Sequence, residues 1–160
     1  MTRPEFDAWR GRIARAYADE QVAAGTWPAE EALQRALEDT AQRLPQGPAT
    51  EGMLLLQGVL DDGTTGGTAD GTVVGRLWIG LRHPRGTPDC AFLYDIEVDG
   101  AHRGRGLGRA LLGAAEDVVR SHGIGALELN VFAENTRAGA LYASAGYEVV
   151  TRQMRKALRP

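Results

Sequence analysis

The chain of 160 residues contains one cysteine, Cys90, and one lysine, Lys156. A lone cysteine cannot close an internal disulfide, which fits a reducing compartment. The scarcity of lysine is a compositional bias toward arginine and not a mechanism. Long apolar runs are missing as well. None approaches the ~20 residues that a membrane span requires, and the polar start Met1-Thr2-Arg3-Pro4-Glu5 has no apolar core of a secretion signal. The three histidines, His83, His102 and His122, fall in separate turns, too scattered for a metal site. With a net charge of −3 and a pI near 5.6, the surface as a whole offers little to nucleic acid. These absences predict a cytoplasmic protein with no metal and no membrane or nucleic-acid partner. Apolar residues make up 43% and charged residues 24%, ordinary values for a soluble globular chain, and the length suits one domain over residues 1–160.

The chain opens with a helix: Thr2 can cap it, Pro4 suits its first turn, and Phe6, Trp9, Ile13, Ala16, Tyr17 and Val22 follow at helical spacing until Gly25. A second helix is predicted after a Thr26 cap and Pro28, with Glu30 and Glu31 in its first turn. It carries an apolar stripe of Ala32, Leu33, Ala36, Leu37, Ala41 and Leu44 and ends before Pro45. Met53–Leu60 reads as a buried strand, Asp61–Gly71 as a long hairpin loop without the ligand pattern of a calcium site, and Thr72–Leu81 as the partner strand. Cys90–Val98 is a further strand. Leu107, Ala110, Leu111, Ala114 and Val118 then mark a helix that Ser121-His122-Gly123 ends. Leu127–Phe132 alternates like a strand, Glu134-Asn135-Thr136 starts a short helix, and Gly146 stops it. Tyr147–Leu158 reads as a last, edge-like strand, able to pair with another copy, so that monomer and homodimer both stay open.

The stretch Tyr94–Leu112, Y-D-I-E-V-D-G-A-H-R-G-R-G-L-G-R-A-L-L, joins a strand to a helix through a turn rich in arginine and glycine. Gly104, Gly106 and Gly108 lack side chains where the chain must turn, so several backbone N–H groups can converge in front of the helix. The helix N-terminus adds partial positive charge, and Arg103, Arg105 and Arg109 add full charges that suit phosphate oxygens. The expected ligand is a pyrophosphate. A P-loop would need a lysine that this segment lacks. A dinucleotide fingerprint would need G-x-G-x-x-G directly after the strand and an acidic residue about 20 positions on, whereas the glycines here run G-x-G-x-G.

Arg103-Gly104-Arg105-Gly106-Leu107-Gly108 fits the pattern Q/R-x-x-G-x-G/A, and it follows a strand ending Ile96-Glu97-Val98. This resembles the coenzyme A pyrophosphate loop of the GNAT superfamily of acyl-CoA N-acyltransferases. A second resemblance runs from Leu127 to Tyr147: a strand, Asn135, a short helix carrying Tyr142, then Gly146-Tyr147. Together the two cover roughly the last 70 residues. The first two helices also resemble the acceptor-side helices of that fold, with the departure that no clear strand precedes them.

The resemblance implies an α/β (α+β) GNAT fold, a central mixed, mostly antiparallel twisted sheet with helices on both faces. It implies an acetyl-CoA-dependent N-acetyltransferase acting on a primary amine by direct attack. The backbone near Ile96 and Val98 would pair with pantetheine and the thioester. Arg103, Gly104, Arg105, Gly106, Leu107, Gly108 and Arg109 would hold the pyrophosphate, Asn135 the pantetheine arm, and Tyr142 would be the general acid beside the sulfur. The chemistry also needs a group that takes the ammonium proton. Asp95 and Glu97 are the candidates, because strand alternation puts both on one face, opposite Tyr94, Ile96 and Val98; both could equally be solvated surface acids. Asn130 stands where some relatives carry an acid. Cys90 has no neighbouring base in sequence and is not taken as a nucleophile. Trp27 and Trp78 are read as core before acceptor pocket. The acceptor, a small-molecule amine or a peptide or protein amine, has no diagnostic motif. A non-catalytic acyl-CoA-binding or sensing module and a Rossmann-type nucleotide binder are the competing readings.

Overall fold

The computed structural model describes residues 2–60 and 71–158; the loop expected over Asp61–Gly71 lies, Gly71 apart, outside them. Helix α1 (Arg3–Ala23) starts where the local signals place it. The Glu5 carboxylate reaches back to accept from the Thr2 backbone N–H (2.6 Å) and hydroxyl (2.8 Å), and Pro4 sits in the first turn. Helix α2 (Ala29–Arg43) has Pro28, not Thr26, at its cap position. Ala14 and Ala18 of α1 meet Ala32 and Ala36 of α2, and these small residues let the two helices lie close together. Thr40 is buried on the same face while Ala41, expected in the stripe, faces solvent. The Thr40 hydroxyl donates to the Ala36 carbonyl at 2.8 Å, so it can be buried without leaving a polar group unpaired.

Strands β1 (Met53–Leu60), β2 (Thr72–Gly80) and β3 (Cys90–Val98) pair antiparallel in sequence order, and β4 (Ala126–Leu129) pairs parallel with β3. A parallel pair needs a crossover, which here contains helix α3 (Leu107–Ser121); helix α4 (Thr136–Ser144) follows β4. The result is a mixed, mostly antiparallel sheet with helices on both faces. On one face Phe6 and Trp9 of α1, with Leu44, pack on Leu55 and Trp78. On the other, Leu111, Leu112, Ala115 and Val119 of α3 pack on Leu77, Ile79, Ala91 and Leu93, flanked by Leu141 of α4 and by Ala145 just past its end. The α3 layer comes so near that a Cβ on Gly75 would lie 2.5 Å from Leu111 Cδ1 and 2.4 Å from the Glu97 carbonyl oxygen. Only glycine fits there.

Two elements differ from expectation. The strand expected over Leu127–Phe132 ends at Leu129, and Tyr147–Leu158 adopts no strand pairing among the described residues. A third difference concerns faces. Trp78 pairs with Asp95 but Ile79 pairs with Leu93, so Tyr94 is an extra residue, a β-bulge in β3. Strict alternation would set Tyr94 opposite Asp95. With the bulge, Tyr94 and Asp95 both fall on the α1 face: the Tyr94 ring stacks on Trp78 at 4.6 Å between centroids, while Ile96 and Val98 belong to the α3 face. The expected grouping of Tyr94 with Ile96 and Val98 is therefore corrected.

Candidate active site

Strands β3 and β4 pair only from Cys90–Ala126 to Leu93–Leu129. Beyond that they part, at the residue where the bulge begins. A bulge increases local twist, and here it turns β3 away from β4. The rest of β3 stays paired with β2, Ile96 with Leu77 and Val98 with Gly75, while Asn130–Phe132 leave the sheet. Over residues 94–98 the β3 edge facing the gap has no strand partner among the described residues. Its backbone groups, those of Ile96 and Val98 included, are open to an extended ligand bearing amides.

One end of this gap reaches the glycine turn. Gly104 and Gly106 both have φ of +79°, a left-handed conformation that costs a side-chain-bearing residue about 1–2 kcal/mol. Gly106 is the cap residue of α3, no side chain caps that end, and the N–H groups of Arg105 to Gly108 bond to no other backbone group among the described residues. They form a cluster of donors at a helix N-terminus, the chemistry an oxyanion group requires. The three arginines differ. Arg105 is exposed, Arg103 Nε donates to the Val98 carbonyl at 3.0 Å, and Arg109 holds α4 by donating to the Ser144 carbonyl and hydroxyl.

The other end opens into a cavity of about 410 Å³ on the α1 side. Asp95 and Tyr142 both line it, as do Ile96, Asn130 and Asn135. Burial, with the charge of Glu97 adding to it, pushes the Asp95 carboxyl up to about 7. The Trp9 indole N–H, buried without a partner at normal hydrogen-bond distance, lies near enough to oppose part of that rise. Burial also pushes the Tyr142 phenol up, and the charges of Asp95 and Glu20 add to the effect. Near neutral pH the carboxyl is thus part ionised and the phenol protonated. Asn135 caps α4, its Oδ1 accepting from the Ala138 N–H at 3.2 Å, which leaves its amide N–H groups free to donate.

Glu97 is not among the cavity residues; its carboxylate lies 3.7 Å from the Arg12 guanidinium. Cys90 is buried, its thiol donates to the Ala91 carbonyl at 3.3 Å, and burial pushes its pKa up, all unfavourable to a nucleophile. Trp78 is core with one edge on the cavity, and Trp27 packs on Tyr17 away from it. The cavity also holds a residue that sequence reasoning passed over. Ile13, Ala16, Tyr17 and Glu20 line it at i, i+3, i+4 and i+7. The first three stand on the helical stripe of α1, and the signal for Glu20 is its place on that same stripe. Glu20 sits at the rim, its pKa raised by partial burial. Nearby, Arg43 is neutralised by Asp39 through bonds of 2.9 and 3.0 Å.

Among the described residues no helix is long and apolar enough to cross a membrane, and no three His, Cys, Asp or Glu side chains gather as a metal site would need. Similarity to known proteins agrees with the geometry. The acetyltransferase (GNAT) family model matches residues 26–147. The chain is 30% identical over 158 residues to the uncharacterized N-acetyltransferase YdgE of Bacillus subtilis (strain 168), covering 99% of this chain and 95% of that one. It is 36% identical over 151 residues to mycothiol acetyltransferase of Beutenbergia cavernae, but the match spans 43% of that longer protein. The crystal structure of YycN from Bacillus subtilis superposes with a TM-score of 0.88 at 32% identity, covering 100% of this chain and 96% of YycN. AAC(6')-Iy, in complex with the bisubstrate analogue CoA-S-monomethyl-acetylneamine, shares the fold at a TM-score of 0.57 and 19% identity. A turn built for an oxyanion, a split sheet and a match over most of the length lead to one assignment: the chain belongs to the GNAT acetyltransferase family.

Proposed function

We propose that the chain transfers the acetyl group of acetyl-CoA to a primary amine by direct attack. The observation that carries this reading is that Asp95 and Tyr142 share one cavity at the place where β3 and β4 part, with protonation tendencies suited to opposite roles. When bound, acetyl-CoA would supply an activated thioester carbonyl. The donor cluster at Arg105–Gly108 would hold the pyrophosphate, with Arg103 fixing the turn to the end of β3 and Arg109 fixing α3 to α4. The open β3 edge and the Asn135 amide would align the pantetheine arm. An ammonium entering from the α1 side meets Glu20 at the rim and Asp95 within, while Arg43 is occupied by Asp39. Asp95 then takes the amine proton, directly or through water, and Tyr142 donates to the departing sulfur. Glu97, tied to Arg12, acts on this site through its charge on Asp95.

The test is a calorimetric titration with acetyl-CoA, on the wild type and Gly106→Glu, followed by thiol-release assays over primary amines and peptides. We expect binding in the wild type, none in the variant, and turnover with at least one amine. Binding without thiol release from any amine would favour an acyl-CoA-sensing module, and no binding would remove the acetyltransferase reading altogether.

A further inference from the structure

We infer, on the strength of the acetyltransferase reading, that the acceptor is an aliphatic diamine whose reacting nitrogen lies at Asp95 while its second ammonium rests at Glu20 and Tyr17. The charged residues lining the 410 Å³ cavity are Glu20, Asp39, Arg43, Arg85 and Asp95. Both cations are already matched: Arg43 by Asp39, through bonds of 2.9 and 3.0 Å, and Arg85 by Glu128. Arg12, whose charge also reaches Asp95, lies 3.7 Å from Glu97. Once these pairs have formed, neither Glu20 nor Asp95 has an Arg, Lys or His within 4.0 Å among the described residues. A ligand carboxylate would find no unmatched cation in this cavity and would meet two acids. A ligand with two ammonium groups answers both.

The two acids stand at different depths. Asp95 is level with Trp9, whose indole reaches toward it, one turn before Ile13 on α1. Glu20 stands at the rim. An α-helix rises about 1.5 Å per residue, so the wall from Ile13 to Glu20 is about 10 Å long. Side chains on a helix lean toward its N-terminus, which brings the Glu20 carboxylate back toward Asp95. The charges of both acids act on Tyr142, so both overlook the space where the thioester would lie. A spacer of about four or five carbons suits the remaining distance.

The walls between the acids are aromatic. Tyr17 lines the cavity three residues before Glu20 on α1, a spacing that makes the two side chains neighbours. An ammonium held by the Glu20 carboxylate can therefore rest against a ring as well. Opposite, Trp78 stacks on Tyr94 at 4.6 Å and Phe92 meets Tyr94 edge-on at 4.9 Å, an apolar surface for methylene groups. During transfer the N–C bond forms as the C–S bond breaks, the amine proton passing to Asp95 and the Tyr142 proton to the sulfur. The product keeps one ammonium where the substrate had two, so the cavity holds it less tightly and lets it leave.

The test is kcat/KM for thiol release at pH 8 with 1,4-diaminobutane, 1-aminobutane and 4-aminobutanoate, which differ only in their far end, and with their five-carbon homologues. In the wild type the diamine should exceed the monoamine by about 10-fold or more, and the amino acid should be slowest. In Glu20→Gln the ratio of diamine to monoamine should fall toward one. The lost charge on Asp95 affects every acceptor alike, so the ratio isolates the second ammonium. In Glu20→Arg the amino acid should overtake the diamine. A wild type that treats diamine and monoamine alike, or prefers the amino acid, overturns the inference while leaving the acetyltransferase reading in place; so does a Gln variant that keeps the wild-type ratio. Acetyl-CoA binding without thiol release from any acceptor overturns the acetyltransferase reading, and the diamine with it. Should the variants fold poorly, the wild-type series alone decides.

Discussion

Replacing Asp95 by Asn should stabilise the protein while disabling it. The wild-type carboxyl is pushed up from 3.8 to about 7, a rise of about 3 units, and at about 1.4 kcal/mol per unit the full cost of ionising it in the folded state is about 4 kcal/mol. The sign follows from the order of the two values. Below about pH 4 folded and unfolded chains both keep the proton and nothing is lost. Between 4 and 7 the unfolded chain releases it while the folded chain holds it, so stability falls as pH rises, and above 7 the loss is complete. An amide carries no charge, so Asp95→Asn should exceed the wild type by about 2–4 kcal/mol at pH 8, the lower figure allowing for imperfect pairing of the new amide. For a chain of this size that raises Tm by about 4–16 °C. At pH 5 the advantage should shrink to less than half. Activity should move the other way: wild-type kcat/KM climbs with pH and is half-maximal near pH 7, and the variant loses about 10²–10⁴-fold throughout. Urea unfolding at pH 5 and 8 and initial rates of thiol release read both quantities. A variant less stable than the wild type at pH 8, or a wild-type profile flat from pH 6 to 8, would refute the reasoning.

Tyr142→Phe should cut turnover by about 10²-fold or more while calorimetry finds acetyl-CoA affinity unchanged; a matching loss of affinity would make the phenol a binding group. Glu20→Gln removes a charge that raises both Asp95 and Tyr142, so the midpoint of the kcat/KM profile should move to lower pH and KM for the amine should rise. A midpoint that stays put takes Glu20 out of the field acting on Asp95. Leu112→Ala, at a side chain 1% exposed beneath α3, should cost about 2–5 kcal/mol, read as a lower Tm and an earlier urea midpoint, and a cost under about 1 kcal/mol would contradict its place in the core.

What could be read in the sequence was what its own neighbours determine. Thr2, Pro4 and Glu5 start α1 through contacts within one turn, and Gly104 and Gly106 mark a turn whose φ values only glycine adopts cheaply. The meeting of Asp95 with Tyr142 was not legible in this way: they lie on different elements, and only the resemblance to a family brought them together. The face of Tyr94 was misjudged because a bulge belongs to a pair of strands and not to one. Glu20 was missed because a helix stripe looks the same whether it faces a packed core or a cavity. Tyr147–Leu158 has the composition of a strand, but a strand exists only where a partner accepts its hydrogen bonds, and the described residues of the chain offer it none.

The bulge at Tyr94 has a consequence for the register of β3. A single extra residue in a ladder has no intrinsic reason to stay at one position. If it moved along by one residue, Asp95 would swing through the sheet and join Ile96 on the α3 face, among Leu77 and Leu111, while every other pairing kept its side. An apolar layer tolerates a neutral carboxyl poorly and a charged one hardly at all. In either protonation state, then, the side chain of Asp95 weighs against that shift and favours the bulge where it stands.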